Sequence, residues 1–416
     1  MDKSWSQMTR VFGRIGVLSF GGPAAQIALM HDALVTREKW LTQDEYLRAL
    51  SLCMLLPGPE AMQLATYAGW RLRGVLGGLL AGLLFVVPGA LVILALALAY
   101  VRFGDLPVVQ TAFLGVKAAV IVVVLQALLR LGRSALTGRM AWVLAGVAFL
   151  ALFVLGLPFP LVVIGAGVFG ALRCADDGAP TTPAIANTST LKPVLTLGVL
   201  WVAPLAALWL TSQAFLLEIG LFFSKLAVVT FGGAYAVLAY MTQEVVQDHG
   251  WITTGQMIDA LGLAETTPGP LILVTEFVAL VAGYAQGGVG LALAAGALAL
   301  WVTFVPCFLW IFAAGPHLDQ IAARPRLSAA LQAITAAVVG VILNLSVWFA
   351  LHVIFNSVDT GPLLALPVPD VTSLNIWALV LTGCSALLIL RWRVGLLLTL
   401  GIMASTGCVL SLLGWA

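Results

Sequence analysis

A short glycine and proline cluster occurs twice in this chain, and each time it interrupts a long apolar stretch. In the first half it reads Ser19-Phe20-Gly21-Gly22-Pro23, followed, after a charged loop ending in Trp40, by Leu56-Pro57-Gly58-Pro59. In the second half it reads Thr230-Phe231-Gly232-Gly233-Ala234, followed, after Trp251, by Thr267-Pro268-Gly269-Pro270. The separation is a constant 211 residues from Phe20 to Phe231, from Trp40 to Trp251 and from Pro57 to Pro268. One unit is therefore present in two copies. Proline removes a backbone donor and clashes with the preceding turn, while glycine relaxes the backbone. None of the stretches 11–33, 46–70, 215–241 and 254–283 reads as one continuous helix; each reads as two half-helices meeting at a break.

Hydrophobic residues make up 61% of the 416 and charged residues 9%, and the mean hydropathy of +1.07 is that of a polytopic membrane protein. A net charge of +2 gives no argument for nucleic acid as a partner. The N-terminus runs directly into the repeat and shows no small-residue cleavage site, so it is expected to be retained. Cys53, Cys174, Cys307, Cys384 and Cys408 lie far apart, with no spacing that suits a disulfide framework or a thiolate metal site.

Uninterrupted spans are expected near 75–101, 108–129, 141–155, 157–172, 194–213, 285–313, 328–350, 375–390 and 394–413. With the broken segments included, each half holds six hydrophobic elements and one extra span joins them, about 13 in all. The odd connector inverts the second copy. The expected organisation is an all-α polytopic membrane protein with two inverted-topology repeats and broken or re-entrant helices. Residues 1–173 form the first repeat, 174–213 a solvated linker with Asp176-Asp177 plus the connecting span, and 214–416 the second repeat. Arg10, Arg71, Arg73, Arg130, Arg133, Arg324 and Arg326 fall on one side in this count. The positive-inside rule makes that side cytoplasmic, and the N-terminus with it. The basic loop at Arg37 and Lys39 sits better with re-entrant hairpins than with full crossings.

Broken helices at membrane depth are tolerated only where protein buries them or a cavity is lined by them, and matched breaks in inverted repeats point to a midplane substrate site. The chemistry of these breaks favours an anion. Pro23 and Pro59 suit the start of a half-helix, where the amides of Gly21, Gly22 and Gly58 would be free at a positive dipole end. Ser19 and Thr230 add hydroxyls. Arg14 and Lys225 occupy matching places ahead of the breaks, and Lys117 lies deep in the span 108–129. The candidate binding set is Arg14, Ser19, Phe20, Gly21, Gly22, Pro57, Gly58, Pro59, Lys117, Lys225, Thr230, Phe231, Gly232, Gly233, Pro268, Gly269 and Pro270. Two or three cations with converging helix N-termini suit a doubly charged oxyanion. Gly-Gly-Pro alone also suits a close-packing point, and Arg14 or Lys225 alone suits a lipid phosphate at the interface. Glu60, Glu265 and Glu276 are candidates to carry a coupling proton or to balance the cations. Gln126 and Asn344 suit interhelical hydrogen bonds or ligand contact, and Trp5, Trp40, Trp70, Trp251 and Trp415 suit an interfacial belt.

Phe20-Gly21-Gly22-Pro23, the Trp40 loop and Pro57-Gly58-Pro59, with Phe231-Gly232-Gly233 and Pro268-Gly269-Pro270, resemble the paired signature of the chromate ion transporter family in its long two-domain form. The resemblance covers nearly the whole chain. It implies efflux of chromate across the bacterial inner membrane, resistance to chromate, and sulfate as a competing substrate. Ala234 departs from the pattern where the first copy has Pro23, so the second half-helix is expected to begin less rigidly.

The leading expectation is a secondary transporter with alternating access and no cofactor. A sulfate or other oxyanion exchanger and a passive anion channel are the alternatives. An enzyme is disfavoured, because the chain holds no HExxH motif, no clustered His/Cys ligands and no Ser/His/Asp set at one depth. A homodimer is compatible with so apolar a chain, though nothing in it fixes the oligomer.

Overall fold

The computed structural model describes residues 4–174, 191–231, 234–318, 324–360 and 366–413. Lys3, the linker tract with Asp176 and Asp177, Gly232, Gly233 and Trp415 lie outside the described residues.

The chain is helical almost throughout. In the first copy α1 (Trp5–Leu18) is capped by Ser4, α2 (Gly22–His31) has Pro23 in its first turn, and α3 is Gln43–Leu55. Helix α4 (Glu60–Phe103) starts at the Pro-Gly-Pro break, and α5 (Pro107–Ala135), α6 (Arg139–Phe153) and α7 (Phe159–Arg173) follow. The connector is α8 (Leu191–Leu210). The second copy supplies α9 (Ala214–Val229), α10 (Ala234–Thr242), α11 (Thr254–Thr266) and α12 (Val274–Ala314). It ends in α13 (Pro325–Ile354), α14 (Ile376–Ala386) and α15 (Leu396–Leu412), with a small antiparallel ribbon, β1 (Val358–Thr360) with β2 (Pro367–Pro369), between α13 and α14. Five helical stretches among the described residues are long and apolar enough to cross a membrane: 60–103, 107–135, 191–210, 271–317 and 325–354. Large apolar side chains such as Trp142, Leu172, Trp209 and Leu210 are exposed, as a surface that meets lipid rather than water requires. This is an all-α multi-pass membrane protein.

The duplication extends to fine backbone detail. Asp32–Arg37 and Gln243–Asp248, at matching positions, are both π-helical turns. Each closes with the following tryptophan amide, Trp40 N on Leu34 O at 2.8 Å and Trp251 N on Val245 O at 2.9 Å. Lys39 and Gly250 both take positive φ, 51° and 63°. Thr42 caps α3 with Glu45 returning the bond, and Thr253 and Gln256 do the same at α11, the reciprocal pattern of a capping box.

The half-helix after each Pro-Gly-Pro runs on without interruption until the next span begins. In α4 the backbone leaves helical geometry only at Arg73 and Gly74, and in α12 only at Gly287 and Gly288. The chain doubles back there: a Cβ on Gly69 would stand 2.2 Å from Gly77 O, and one on Gly283 would stand 2.8 Å from Leu291 O. In a straight helix residues eight apart are separated by about 12 Å, so the two limbs form tight helical hairpins closed on glycine. The register slips from 211 to 214 between break and hairpin (Arg73 to Gly287, Gly74 to Gly288). The three extra residues are the 3-10 turn Leu271–Leu273, which the first copy lacks.

By contact the chain divides into two compact units. One comprises Met1–Leu98, Ala175–Val237 and Thr267–Ser328, the other Ala99–Cys174, Leu238–Thr266 and Ala329–Ala416. Each unit draws on both copies. In the first, α12 packs on α8 and α9. In the second, α5 packs on α11, α14 and α15, with Gly115 set against Met403 O and Gly407 against Thr111 O.

Trp40 corrects the expectation of an interfacial belt. It is 6% exposed and packs on Phe12, ring centroids 6.0 Å apart. Trp5 does lie at the surface, beneath the Arg73 guanidinium at 5.2 Å.

Gly69→Ala is expected to cost about 1–3 kcal/mol, because the new methyl meets backbone that has nowhere to go. A thermal melt in detergent checks this. An unchanged melting temperature would refute the closed hairpin.

Candidate functional site

All four breaks lie in the first unit, and they are joined crosswise. Helix α1 ends in an inverse γ-turn centred on Ser19 (φ −77°, ψ 63°), with Phe20 N bonding back to Leu18 O at 2.9 Å. Helix α9 ends identically on Thr230 (φ −74°, ψ 78°), with Phe231 N on Val229 O at 2.9 Å. Such a turn aims the central carbonyl away from the helix axis. Each is met by a Pro-Gly-Pro amide of the opposite copy: Gly269 N donates to Ser19 O at 3.0 Å, and Gly58 N donates to Thr230 O at 3.0 Å. The two bonds are repeats of one another.

Each Pro-Gly-Pro also packs against the long limb of the other copy. A Cβ on Gly89 would lie 2.2 Å from Pro268 O, and a Cβ on Gly58 would lie 2.8 Å from Cys307 Sγ. At Gly58 (φ +121°) and Gly269 (φ +89°) glycine is therefore required by conformation, and at Gly58 by space as well. Pro57, Gly58 and Pro59 are buried, as are Thr267, Pro268, Gly269 and Pro270.

The crossing corrects two expectations. The Gly58 amide is engaged by Thr230 O and is not free for a ligand. The Ser19 and Thr230 hydroxyls donate back to their own helices, Ser19 Oγ to Ile15 O at 2.6 Å and Thr230 Oγ1 to Leu226 O. A serine or threonine one turn past a carbonyl satisfies it in this way.

Two glutamines clamp the arrangement. Gln26 Nε2 donates to Gly269 O at 2.6 Å and to Ser19 O at 3.2 Å, and Gln63 Nε2 donates to Pro57 O at 2.7 Å. Both are buried, at 2% and 0% exposure. Their counterparts are Val237, 211 residues on, and Phe277, 214 residues on past the Leu271–Leu273 turn, both wholly buried. The amide clamps come from the first copy alone, so the two breaks are not equivalent.

What remains open is the first Gly-Gly. Gly21 and Gly22 have φ of +84° and +76°, and a Cβ on Gly22 would meet nothing within 4 Å. Backbone thus faces free space at the N-terminus of α2, where Pro23 fixes the first turn. Phe20 and Phe231 are half-buried beside their breaks. Gly232 and Gly233 lie outside the described residues.

Arg14 and Lys225 occupy matching exposed faces of α1 and α9. Glu60 opens α4 and is half-buried, whereas Glu265 near the end of α11 is 5% exposed. Glu276, in the first turn of α12, is 3% exposed, and its Oε2 has no hydrogen-bond partner among the described residues. Asn344 lines a cavity of about 100 Å³ in the second unit with Tyr240, Gln243, Gln247 and Trp348.

Lys117 belongs to the second unit and is ion-paired there. Its Nζ stands 3.2 Å from Asp259 Oδ1, and the Tyr100 hydroxyl donates to Asp259 Oδ2 at 2.8 Å. Sequence reasoning passed over Asp259. The signal available was local: Gly255, Asp259 and Gly262 fall on one face of α11, and a Cβ on Gly262 would stand 2.4 Å from Val116.

Interrupted helices paired across a duplication, inside a multi-pass helical protein, define a membrane transporter rather than an enzyme. The chain belongs to the chromate transporter family, whose model matches residues 6–171 and 217–408, once in each copy. It is 35% identical to a chromate transport protein of Pseudomonas aeruginosa over 82% of this chain and 79% of that one. It is 32% identical to a probable chromate transport protein of Synechococcus elongatus, covering 82% and 83% of the two chains. A chromate transport protein of Cupriavidus metallidurans is also 32% identical, over 81% and 80%. No solved structure matches.

Gln26→Val, which gives the first copy the residue of the second, removes the clamp on Gly269 O. A loss of about 1–3 kcal/mol is expected for the orphaned buried carbonyl, read as a lowered melting temperature. No change would mean that the clamp does not hold the crossing.

Proposed function

We propose that this chain is a secondary transporter that exports chromate from the cytoplasm by alternating access and so confers chromate resistance, with sulfate competing for the same route. The observation that carries this reading is the reciprocal pair of bonds, Gly269 N to Ser19 O and Gly58 N to Thr230 O, beside the open Gly21-Gly22 backbone. A crossing held by single backbone bonds is a place where a helix break can be remade, and an exposed amide edge at a helix N-terminus favours an anion. The substrate comes from the relatives, three of which are named for chromate transport.

In this reading Arg14, Lys225, the open backbone of Gly21 and Gly22 and the matching Gly232-Gly233 stretch receive the oxyanion, while Ser19, Pro57 to Pro59, Thr230 and Pro268 to Pro270 hold the crossing beside it. Lys117 is a separate oxyanion-attracting position. The halves 1–173 and 214–416 act as inverted repeats in a bacterial plasma membrane with the N-terminus cytoplasmic, as the arginine-rich loops favour. An inside-negative potential drives a dianion outward by ~2.3 kcal/mol per charge per 100 mV. Export therefore has a driving force before any proton is coupled to it. Among the acids, Glu276 has the strongest claim to a coupling role, since its buried Oε2 has no hydrogen-bond partner among the described residues; Glu60 and Glu265 are the others.

Labelled chromate uptake into inverted vesicles, with sulfate as competitor, tests the site. Arg14→Ala, Lys117→Met and Lys225→Ala are each expected to lower uptake about tenfold, the loss of roughly 1.4 kcal/mol of anion binding. If all three variants transport like the wild type, the cationic site is wrong. For coupling, Glu276→Gln is expected to flatten the pH dependence of uptake. A retained pH profile excludes that carboxylate.

A further inference from the structure

We infer that Asp259 is a charge filter: in the empty protein its carboxylate occupies Lys117, so that only a doubly charged oxyanion displaces it. The inference rests on the reading of Lys117 as an oxyanion-attracting cation.

The pair is built by close helix approach. Gly255 and Gly262 flank Asp259 on the face of α11 that meets α5, one turn before it and about one turn after. A Cβ on Gly255 would lie 3.6 Å from Lys117 Nζ, and Gly262 rests on Val116. Without side chains at those places the carboxylate reaches the ammonium at 3.2 Å. The Tyr100 hydroxyl, 2.8 Å from Oδ2, holds the far oxygen. The Asp259 side chain is 7% exposed and that of Lys117 24%, so the acid is enclosed while the cation keeps an open flank.

A purely structural role does not account for this arrangement. The counterpart of Asp259 in the first copy is Arg48, which is exposed and pairs with Asp44 at 3.3 Å. Aligning Gln126 with Asn344 places Thr335 opposite Lys117, and the Thr335 hydroxyl bonds its own helix at Leu331 O. Of these two equivalent places, both among the described residues, one holds the ion pair and the other does not.

The electrostatics follow from the geometry. A carboxylate at contact distance is a built-in monoanion, and attraction scales with the charge of the competitor. A singly charged ion gains nothing by replacing an equal charge that is already positioned and desolvated. A dianion gains a second unit of attraction, and it leaves Asp259 to the Tyr100 hydroxyl. The same competition weakens dianion binding, which aids release.

Chromate and perchlorate separate charge from shape, being tetrahedral oxyanions of two charges and one. In vesicles, perchlorate is expected to compete poorly with labelled chromate in the wild type. In Asp259→Asn the chromate KM is expected to fall about tenfold, in the range of close charge-pair couplings, and perchlorate is expected to become an effective inhibitor. Asp259→Glu, which restores a carboxylate, should restore exclusion. Tyr100→Phe removes the hydroxyl that keeps the displaced carboxylate and should raise the chromate KM by a smaller factor while perchlorate stays excluded; it carries the test if Asp259→Asn does not fold. An unchanged chromate KM in both Asp259→Asn and Tyr100→Phe, with perchlorate still excluded in Asp259→Asn, overturns the filter, even where Lys117→Met lowers uptake. Full uptake in Lys117→Met instead removes the reading of Lys117 beneath it.

Discussion

Everything in the first unit depends on one kind of bond, a glycine amide at a Pro-Gly-Pro break donating to the carbonyl at the end of an interrupted helix from the other copy. A break deep in an apolar protein exposes backbone groups that lipid cannot satisfy, at a cost of several kcal/mol each. Here each break supplies what its counterpart lacks. The γ-turns at Ser19 and Thr230 turn a carbonyl outward, and the positive φ of Gly58 and Gly269 turns an amide toward it. The tight packing of Pro268 on Gly89, and of Gly58 on Cys307, then follows from bringing these groups within bonding distance.

Near-perfect repetition makes the departures informative. Gln26 and Gln63 brace the breaks, while Val237 and Phe277 hold the same places with apolar side chains. Leu271–Leu273 lengthen the second copy by three residues before its hairpin. Asp259 and Lys117 form an ion pair without a counterpart. A strictly symmetric molecule has no preferred direction, so the differences between copies are where inward and outward become distinct.

Much of this was legible in the sequence, because breaks, duplication and charged loops are local patterns. The constant spacing fixed which residues correspond, and proline and glycine chemistry fixed where helices stop. The partners of the breaks were not legible: nothing in Ser19-Phe20-Gly21 says that its carbonyl seeks Gly269 rather than a ligand. For the same reason the Gly58 amide read as free, and Trp40 read as an interfacial residue although it lies against Phe12. Asp259 escaped notice because its partner is Lys117, far away along the chain. Local periodicity shows a face, and only tertiary structure shows what the face meets.

The crossed bonds also bear on how the protein is made. Ser19 leaves the ribosome 250 residues before Gly269, and Gly58 leaves it 172 residues before Thr230, the groups that complete them. At about 5–20 residues per second these gaps last roughly ten to fifty seconds. Through that interval the first copy sits at the membrane with its interruptions unfilled, dependent on water, the insertion machinery or lipid headgroups to shelter its bare backbone. Biogenesis, as much as transport, therefore requires a polypeptide that can wait half-finished for its second half.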